Sequence, residues 1–230
     1  MKSLKLHLTS NLENWFKHIK RNSYEKANAT AQDSVSICKQ IVLTRRSEQE
    51  SSRTNLAAVG GVLFKGLIEF TEIYRITRSK SWFSQPRSVE RTWYLLQNCN
   101  ERFNYIFNFL EIQPEMSAFI FDVLKMVEST IFQHYGKGVY SSPEIMVKSV
   151  ECNICHSDFR RCSHIVNNIY NGIICKMVVT DLEFTGAALV DSPRDLRCRI
   201  WPWRATKEGD GMQIKGALML TSFNLQDFLE

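Results

Sequence analysis

The hydrophobic positions in the first part of the chain recur with the period of an α-helix. Leu12, Trp15, Phe16 and Ile19 fall on one helical face, while charged residues occupy the other face. Apolar residues repeat at similar spacing further along, which predicts helices around residues 35–42, 55–75, 89–109 and 114–134. An N-terminal bundle of about five helices is therefore expected.

The segment 55–75 differs from the other predicted helices because it is apolar nearly all round. A helix of this kind is buried between other helices rather than lying at the surface. It also contains Gly60, Gly61 and Gly66, and each glycine lowers the stability of a helix interior. We therefore expect neighbouring helices to approach the backbone closely at these positions.

The pattern changes beyond Val139, after Gly136 and Gly138 end the helical half. The segments that follow are short, rich in β-branched residues or alternating, with turn residues between them. They predict strands over residues 147–151, 173–180, 186–190, 196–201 and 212–223, with turns at 171–172, 191–195 and 207–211. The chain is thus predicted to be an α+β protein, with an α-helical domain in residues 1–138 and a small β-rich module in residues 139–230.

Composition and charge narrow the possibilities only slightly. The chain has 230 residues, 44% hydrophobic and 23% charged, as in ordinary folded proteins, and its net charge of +5 permits a polyanionic partner without requiring one. No continuous apolar signal segment opens the sequence, and charged residues and glycines interrupt its longest apolar stretch, so no membrane span is predicted. The odd number of cysteines, seven, favours a reducing, cytoplasmic compartment over a disulfide framework.

Four candidate zinc ligands occur within thirteen residues: Cys152, Cys155, Cys162 and His164. Structural zinc takes four Cys or His ligands in a tetrahedron, and a C-x2-C pair presents two thiolates from one tight turn. Cys162 and His164 can face the same way if the chain is extended there, since alternate residues of a strand share a face. The spacing therefore predicts a structural Zn²⁺ that stabilises the β-rich module.

The identity of the fourth ligand stays open at this point. His164 is the first choice, Cys175 the alternative, and His156 the third candidate. A different interpretation is that the cysteines are merely buried small residues. A catalytic zinc is disfavoured because it needs an open water position, and the H-x-E and P-C-x-x-C pattern of the zinc deaminases is absent.

Two further segments combine cationic with aromatic residues, a mixture that can bind a nucleic-acid backbone, stack on bases or anchor a partner protein. Each could equally be a solvated loop, or aromatic residues packed in the core. The first group contains Arg75, Arg78, Lys80, Trp82 and Arg87, and the second contains Arg197, Arg199, Trp201, Trp203 and Arg204.

Residues 152–193 resemble a cysteine-bearing segment of phage prohead-protease-like proteins. The matching pattern is the C-x2-C and C-x-H cluster, then Tyr170, Gly172 and Cys175, then Leu189–Val190 with Pro193. Gly186 and Ala188 stand where that family has Glu and Ser, and the helical half does not match. The resemblance implies a phage, prophage or host-defence setting and a structural module rather than a peptidase.

No G-x-S-x-G nucleophile motif, P-loop or dinucleotide-binding fingerprint occurs in the sequence. We therefore expect a non-enzymatic, zinc-containing structural or adaptor subunit of a larger protein or nucleoprotein assembly. Its partners would be other protein subunits, with DNA or RNA as a further candidate partner. A role in bacterial antiviral defence or a mobile element rests on the resemblance alone. The alternative is a nucleic-acid-binding zinc protein, and a third interpretation is a hydrolase related to the prohead proteases.

Overall fold

The computed structural model describes residues 2–44, 51–208, 211–214 and 223–230. It confirms the predicted α+β class: a helical N-terminal part is followed by a small region of antiparallel strands. None of the described helices is both long and apolar enough to cross a membrane. The described residues form five α-helices: α1 (Lys2–Lys20), α2 (Tyr24–Leu43), α3 (Ser51–Thr77), α4 (Pro86–Ile106) and α5 (Pro114–Tyr135).

Helix α3 lies at the centre of the bundle and contacts the other four helices. Phe64, Leu67 and Phe70 on this helix are fully buried, as its uniformly apolar sequence predicts. The expected close approach occurs at Gly60, where an added Cβ would lie 2.9 Å from Leu8 of α1. A hydrogen bond from Trp15 Nε1 to Thr71 Oγ1 also joins α1 to α3.

Within the part of the chain that the structure describes, the strands form one long ribbon and two short pairs. Strands β1 (Val139–Cys152) and β4 (Met177–Val190) pair antiparallel along their whole length. The short strand β5 (Arg199–Ile200) joins only the start of β1, giving the order β4-β1-β5. The remaining pairs are β2 (Ile169–Tyr170) with β3 (Ile173–Ile174) and β6 (Ala205–Glu208) with β7 (Gly211–Ile214).

The ribbon strands are longer than the sequence pattern predicts. The expected strands over 173–180 and 186–190 are largely one strand, β4, because Thr185 is an extra residue at a register shift rather than a turn. Pro143 likewise lies within β1 instead of ending it. The predicted strand 196–201 is a 3-10 turn followed by β5. Much of the strand predicted over 212–223, and part of the turn at 207–211, lies outside the described residues.

The helical and β-rich parts share one hydrophobic core. Tyr140, Ile174, Trp201 and Phe228 all belong to the buried cluster that fills the helical bundle. Polar contacts reinforce this packing: Trp93 Nε1 on α4 donates to the carbonyl oxygen of Leu196 at 2.7 Å. The change from helix to strand at residue 139 is therefore not a break in packing.

A buried ion network holds the C-terminal turn against α3 and α4. Arg102 is fully buried, and its guanidinium pairs with Glu69 and Asp227 and donates to the Leu225 carbonyl oxygen. Burial raises the pKa of Glu69, while the adjacent Arg102 acts to lower it. Since an unpaired buried charge is costly, each member of this network fixes the others. It also brings Phe228 onto the glycine face of α3.

We predict that Gly61→Ala destabilises the protein by about 1–3 kcal/mol through overpacking against the C-terminal turn. A Cβ at residue 61 would lie 2.2 Å from Cζ of Phe228. In a Phe228→Ala background the same change should be neutral or stabilising by up to about 1 kcal/mol, because alanine favours a helix. Urea unfolding of all four proteins measures this cycle. Equal destabilisation in both backgrounds would contradict the packing argument.

Candidate metal centre

Cys152 and Cys155 enclose a tight turn at the end of β1. The turn is closed by hydrogen bonds from His156 N to Cys152 O at 2.8 Å and from Cys152 N to Ser157 O at 2.9 Å. His156 takes a left-handed conformation with φ 57°, which reverses the chain after the second cysteine. Two thiols are thereby presented from one short loop.

Cys162 and His164 come from the segment that follows. A 3-10 turn over Phe159–Arg161 precedes them, and the Asp158 side chain caps it by accepting from Arg160 N at 3.0 Å. Cys162 has an extended backbone, with φ −81° and ψ 142°. The expected same-side arrangement of the two side chains occurs, since Cys162 Sγ lies 3.2 Å from His164 Nδ1.

The four side chains converge on a common point. Their ligand atoms all lie within 4.8 Å of one another, and Sγ of Cys155 lies 3.4 Å from Sγ of Cys162. Cys152 Sγ lies 3.7 Å from His164 Nδ1. Tetrahedral zinc with ordinary bond lengths places two thiolates about 3.8 Å apart and a thiolate and an imidazole about 3.6 Å apart. The four predicted ligands thus form a cluster that could hold a metal ion.

The electrostatic surroundings favour thiolates at two of the cysteines. Burial acts to raise the pKa of Cys152, but hydrogen bonds, including those from the backbone N–H groups of Cys155 and Ile154, hold this pKa at about 7. The Ser157 N–H lowers the pKa of Cys155 in the same way. Burial and the neighbouring thiols raise the pKa of Cys162 to about 11. The surroundings thus lower the pKa of Cys152 and Cys155 towards the thiolate form that a metal ligand needs, and raise the pKa of Cys162.

The other two candidates for the fourth ligand lie outside this set. Cys175 is buried, with its Sγ 3.9 Å from Cys152 Sγ, but it is not one of the four residues whose ligand atoms all lie within 4.8 Å of one another. Burial raises the pKa of Cys175 to about 11. His156 is exposed and also outside the cluster. The geometry thus groups His164, rather than Cys175 or His156, with the three cysteines.

Two residues to which the sequence analysis gave no role in the metal site support this cluster. The Tyr170 ring lies edge-on to the His164 ring at 4.6 Å between centroids, and its hydroxyl accepts from Ile165 N. The Asn153 side chain bridges to the returning chain, donating to Ile174 O and accepting from Lys176 N. Asparagine inside a cysteine-rich turn is a signal for such side-chain bridges, because its short amide readily bonds nearby backbone.

The first cationic group lies around the connection from α3 to α4. Arg75, Arg78, Lys80 and Arg87 are exposed, whereas Trp82 is buried and anchors the connection to the core. Arg75 is paired with Glu72 through two hydrogen bonds. The group therefore presents cations at the surface without the predicted tryptophan.

The second group is mostly interior, which contradicts a contact role for three of its members. Arg197, Arg199 and Trp201 are buried. The Arg199 guanidinium donates to the carbonyl oxygens of Tyr135, Gly136 and Lys137 at the end of α5, and so satisfies backbone groups that the helix leaves unpaired.

The other two members of this group bind a helical carboxylate. Trp203 is half-buried and stacks on Trp201, and its indole N–H donates to Glu90. Arg204 is exposed and pairs with the same carboxylate. These side chains attach the β-rich part to α4, which is a bond within the chain rather than a docking surface.

No protein-family model matches the chain, and comparisons with curated proteins and with solved structures find no relative. The resemblance of residues 152–193 to prohead-protease-like proteins therefore stays a prediction.

We predict that Cys155→Ser weakens zinc binding at least about tenfold, since loss of even an outer partner of a metal ligand costs about that much. Cys198→Ser is the matched control, because Cys198 lies outside the cluster. Metal analysis of the purified proteins and competition with a chelator measure the effect. Equal zinc content in both variants would remove Cys155 from the ligand set.

Proposed function

We propose that this chain is a non-enzymatic subunit of a larger protein or nucleoprotein assembly, in which a structural Zn²⁺ shapes the β-rich part. The observation that supports the metal is the convergence of three thiols and one imidazole at spacings that suit a tetrahedron. Soft thiolate ligands with an imidazole favour zinc over magnesium or calcium, which prefer oxygen ligands.

The donor set argues for a structural rather than a catalytic ion. Cys152, Cys155, Cys162 and His164 would fill all four positions of tetrahedral zinc, whereas a catalytic site keeps one position for water or substrate. Bound to one ion, these four side chains would hold the end of β1 against the loop that follows it.

The segment between β1 and β4 has little apolar material with which to fix its own shape. Among its apolar residues, Ile165 and Val166 are exposed, Ile169 and Ile173 are partly buried against the main core, and Ile174 is a buried member of that core. A small region with so little buried surface is ordinarily stabilised by a disulfide or a metal. A zinc ion at the cluster would supply that cross-link.

Two surface features support a role in an assembly. The β1–β4 ribbon exposes many large apolar side chains, and such surface in a folded protein commonly marks a contact site. The connection between α3 and α4 presents cations. A setting in antiviral defence or a mobile element rests on the resemblance to prohead-protease-like proteins.

Direct nucleic-acid binding is the second candidate function, and the exposed cations favour it. Arg75 and Arg91 both pair with Glu72. Among the described residues, Arg78, Lys80 and Arg87 have no carboxylate partner within salt-bridge distance. These three side chains could neutralise phosphates on one side of the bundle.

We predict that removing the metal loosens the segment between β1 and β4 and leaves the bundle folded. Metal binding and folding are coupled where the site is not otherwise held. Hydrogen exchange with and without a zinc chelator should show lost protection over residues 152–176 and unchanged protection in α3 and α4. Unchanged protection throughout, in a sample shown to contain zinc beforehand, would contradict the structural role.

We predict weak, salt-dependent binding to a single-stranded oligonucleotide if the second function holds. Replacing Arg78, Lys80 and Arg87 by alanine should lower the slope of log K against log salt by up to about 2, since each phosphate contact on a single strand contributes about 0.7. The control replaces Lys5, Lys17 and Lys26, which are exposed on α1 and α2. Equal effects of the two triple variants would indicate non-specific attraction by the net charge.

A further inference from the structure

The centre of the β1–β4 ribbon has an uncovered apolar face. Ile145 is opposite Phe184 and Val147 is opposite Leu182, so these four side chains share one face of the ribbon. Their exposed fractions are 37%, 52%, 43% and 43% in that order. No described part of the chain covers them.

The other face of the same stretch is largely polar. Met146 is opposite Glu183, and Lys148 Nζ lies 2.8 Å from Glu183 Oε2. The central ribbon thus alternates as strands do when one face meets a core and the other meets water. A two-stranded ribbon is marginally stable alone and needs such a face to be packed.

We propose that the ribbons of two copies of this chain pack together through this apolar face, forming a symmetric dimer. The face is uncharged, and the charged pair Lys148 and Glu183 lies on the opposite face, so two identical faces can meet without like-charge repulsion. A two-fold contact places each surface against itself, which suits an apolar patch that matches its own copy.

The distribution of exposed apolar residues favours a second copy as the occupant. Among the described residues, 18 large hydrophobic side chains are exposed, and ten of these lie in β1 and β4. Of the surface that the structure describes, the part that best complements the ribbon is therefore another ribbon. Within an assembly subunit, such as the proposed function describes, this contact would join two copies.

Packing of the faces suits the ribbon better than pairing of its edges. Register shifts leave Lys148, Thr180 and Thr185 as extra residues, and bulges of this kind interrupt the hydrogen-bonding edge. Pro143 removes a further backbone donor from β1. The edges are thereby protected against strand addition, and the face is not.

The size of the face sets the expected strength of the contact. The face lies on one side of the register shifts around Ser149, over about nine residues of β1 from Val139 to Val147. At about 3.3 Å per residue and a width of roughly 10 Å this gives about 300 Å² per copy. The total of about 600 Å² lies below the usual size of a stable interface and suits a transient one. We therefore expect a weak, reversible dimer with a dissociation constant of about 0.1–1 mM.

Sedimentation velocity of the full chain, from about 10 µM to 1 mM around the expected dissociation constant, tests the proposal. The wild type should shift from monomer to dimer with concentration. Phe184→Lys should weaken the dimer at least about tenfold, because it buries a charge in the contact. Met146→Lys is the matched control: Met146 is 54% exposed, on the opposite face, and this variant should dimerise like the wild type.

A wild type that stays monomeric throughout this range overturns the dimer, as does equal weakening by both variants. Zinc content and hydrogen exchange are measured on the same samples. A monomer that still binds zinc and keeps its fold would refute the dimer while leaving the structural metal in place. If such a monomer binds different subunits, the dimer is refuted and the proposed role in an assembly is kept.

Discussion

The base of the ribbon, where Cys152 pairs with Met177, is the constraint on which the β-rich part depends. The chain leaves β1 at Cys152 and must return to the same point to start β4. Closing this long segment between β1 and β4 costs conformational entropy, and the segment buries few apolar side chains that would offset the cost. Cys152 is both the last residue of β1 and a member of the Cys and His cluster, so a metal there would act directly on this closure.

The segment between β1 and β4 is also fixed by hydrogen bonds between its backbone and side chains of the helices and the C-terminal turn. The Gln226 side chain accepts from Ile174 N at 2.7 Å and donates to Gly172 O at 2.8 Å. Tyr105 of α4 donates to Asn167 O, and Gly172 N donates to the Asn55 side chain of α3. Because Gln226 is in the C-terminal turn fixed by Arg102, the buried ion network and the position of the β2–β3 pair depend on each other.

Local patterns in the sequence were sufficient for the presence of the helices and for the metal cluster, although α2 begins at Tyr24, well before the predicted segment 35–42. Apolar periodicity and Pro114 place α5 almost as observed, and the C-x2-C and C-x-H spacing selects the four clustered side chains without tertiary information. The second cationic and aromatic group was wrong as a contact surface for its three buried members, because the same residue types also serve inside a protein, whereas the cations of the first group are exposed. Arg199 satisfies the end of a helix and Trp201 fills the core, and neither role leaves a local signal.

The ribbon was the other part that sequence could not supply. The strand predicted over 186–190 is the end of a longer strand that continues through the extra residue Thr185, and exposure depends on the whole fold. Its geometry separates the two proposed roles in space. The cluster is at the base, where Val150 and Cys152 are buried, while the apolar face begins beyond the register shifts around Ser149. Bulges bend and twist a ribbon locally, so they set the direction in which the face points from that base. Loss of the metal would therefore alter the direction in which the apolar face points without altering the residues of that face. The two proposed roles are coupled only through the few residue pairs of the ribbon that lie between the cluster and the face.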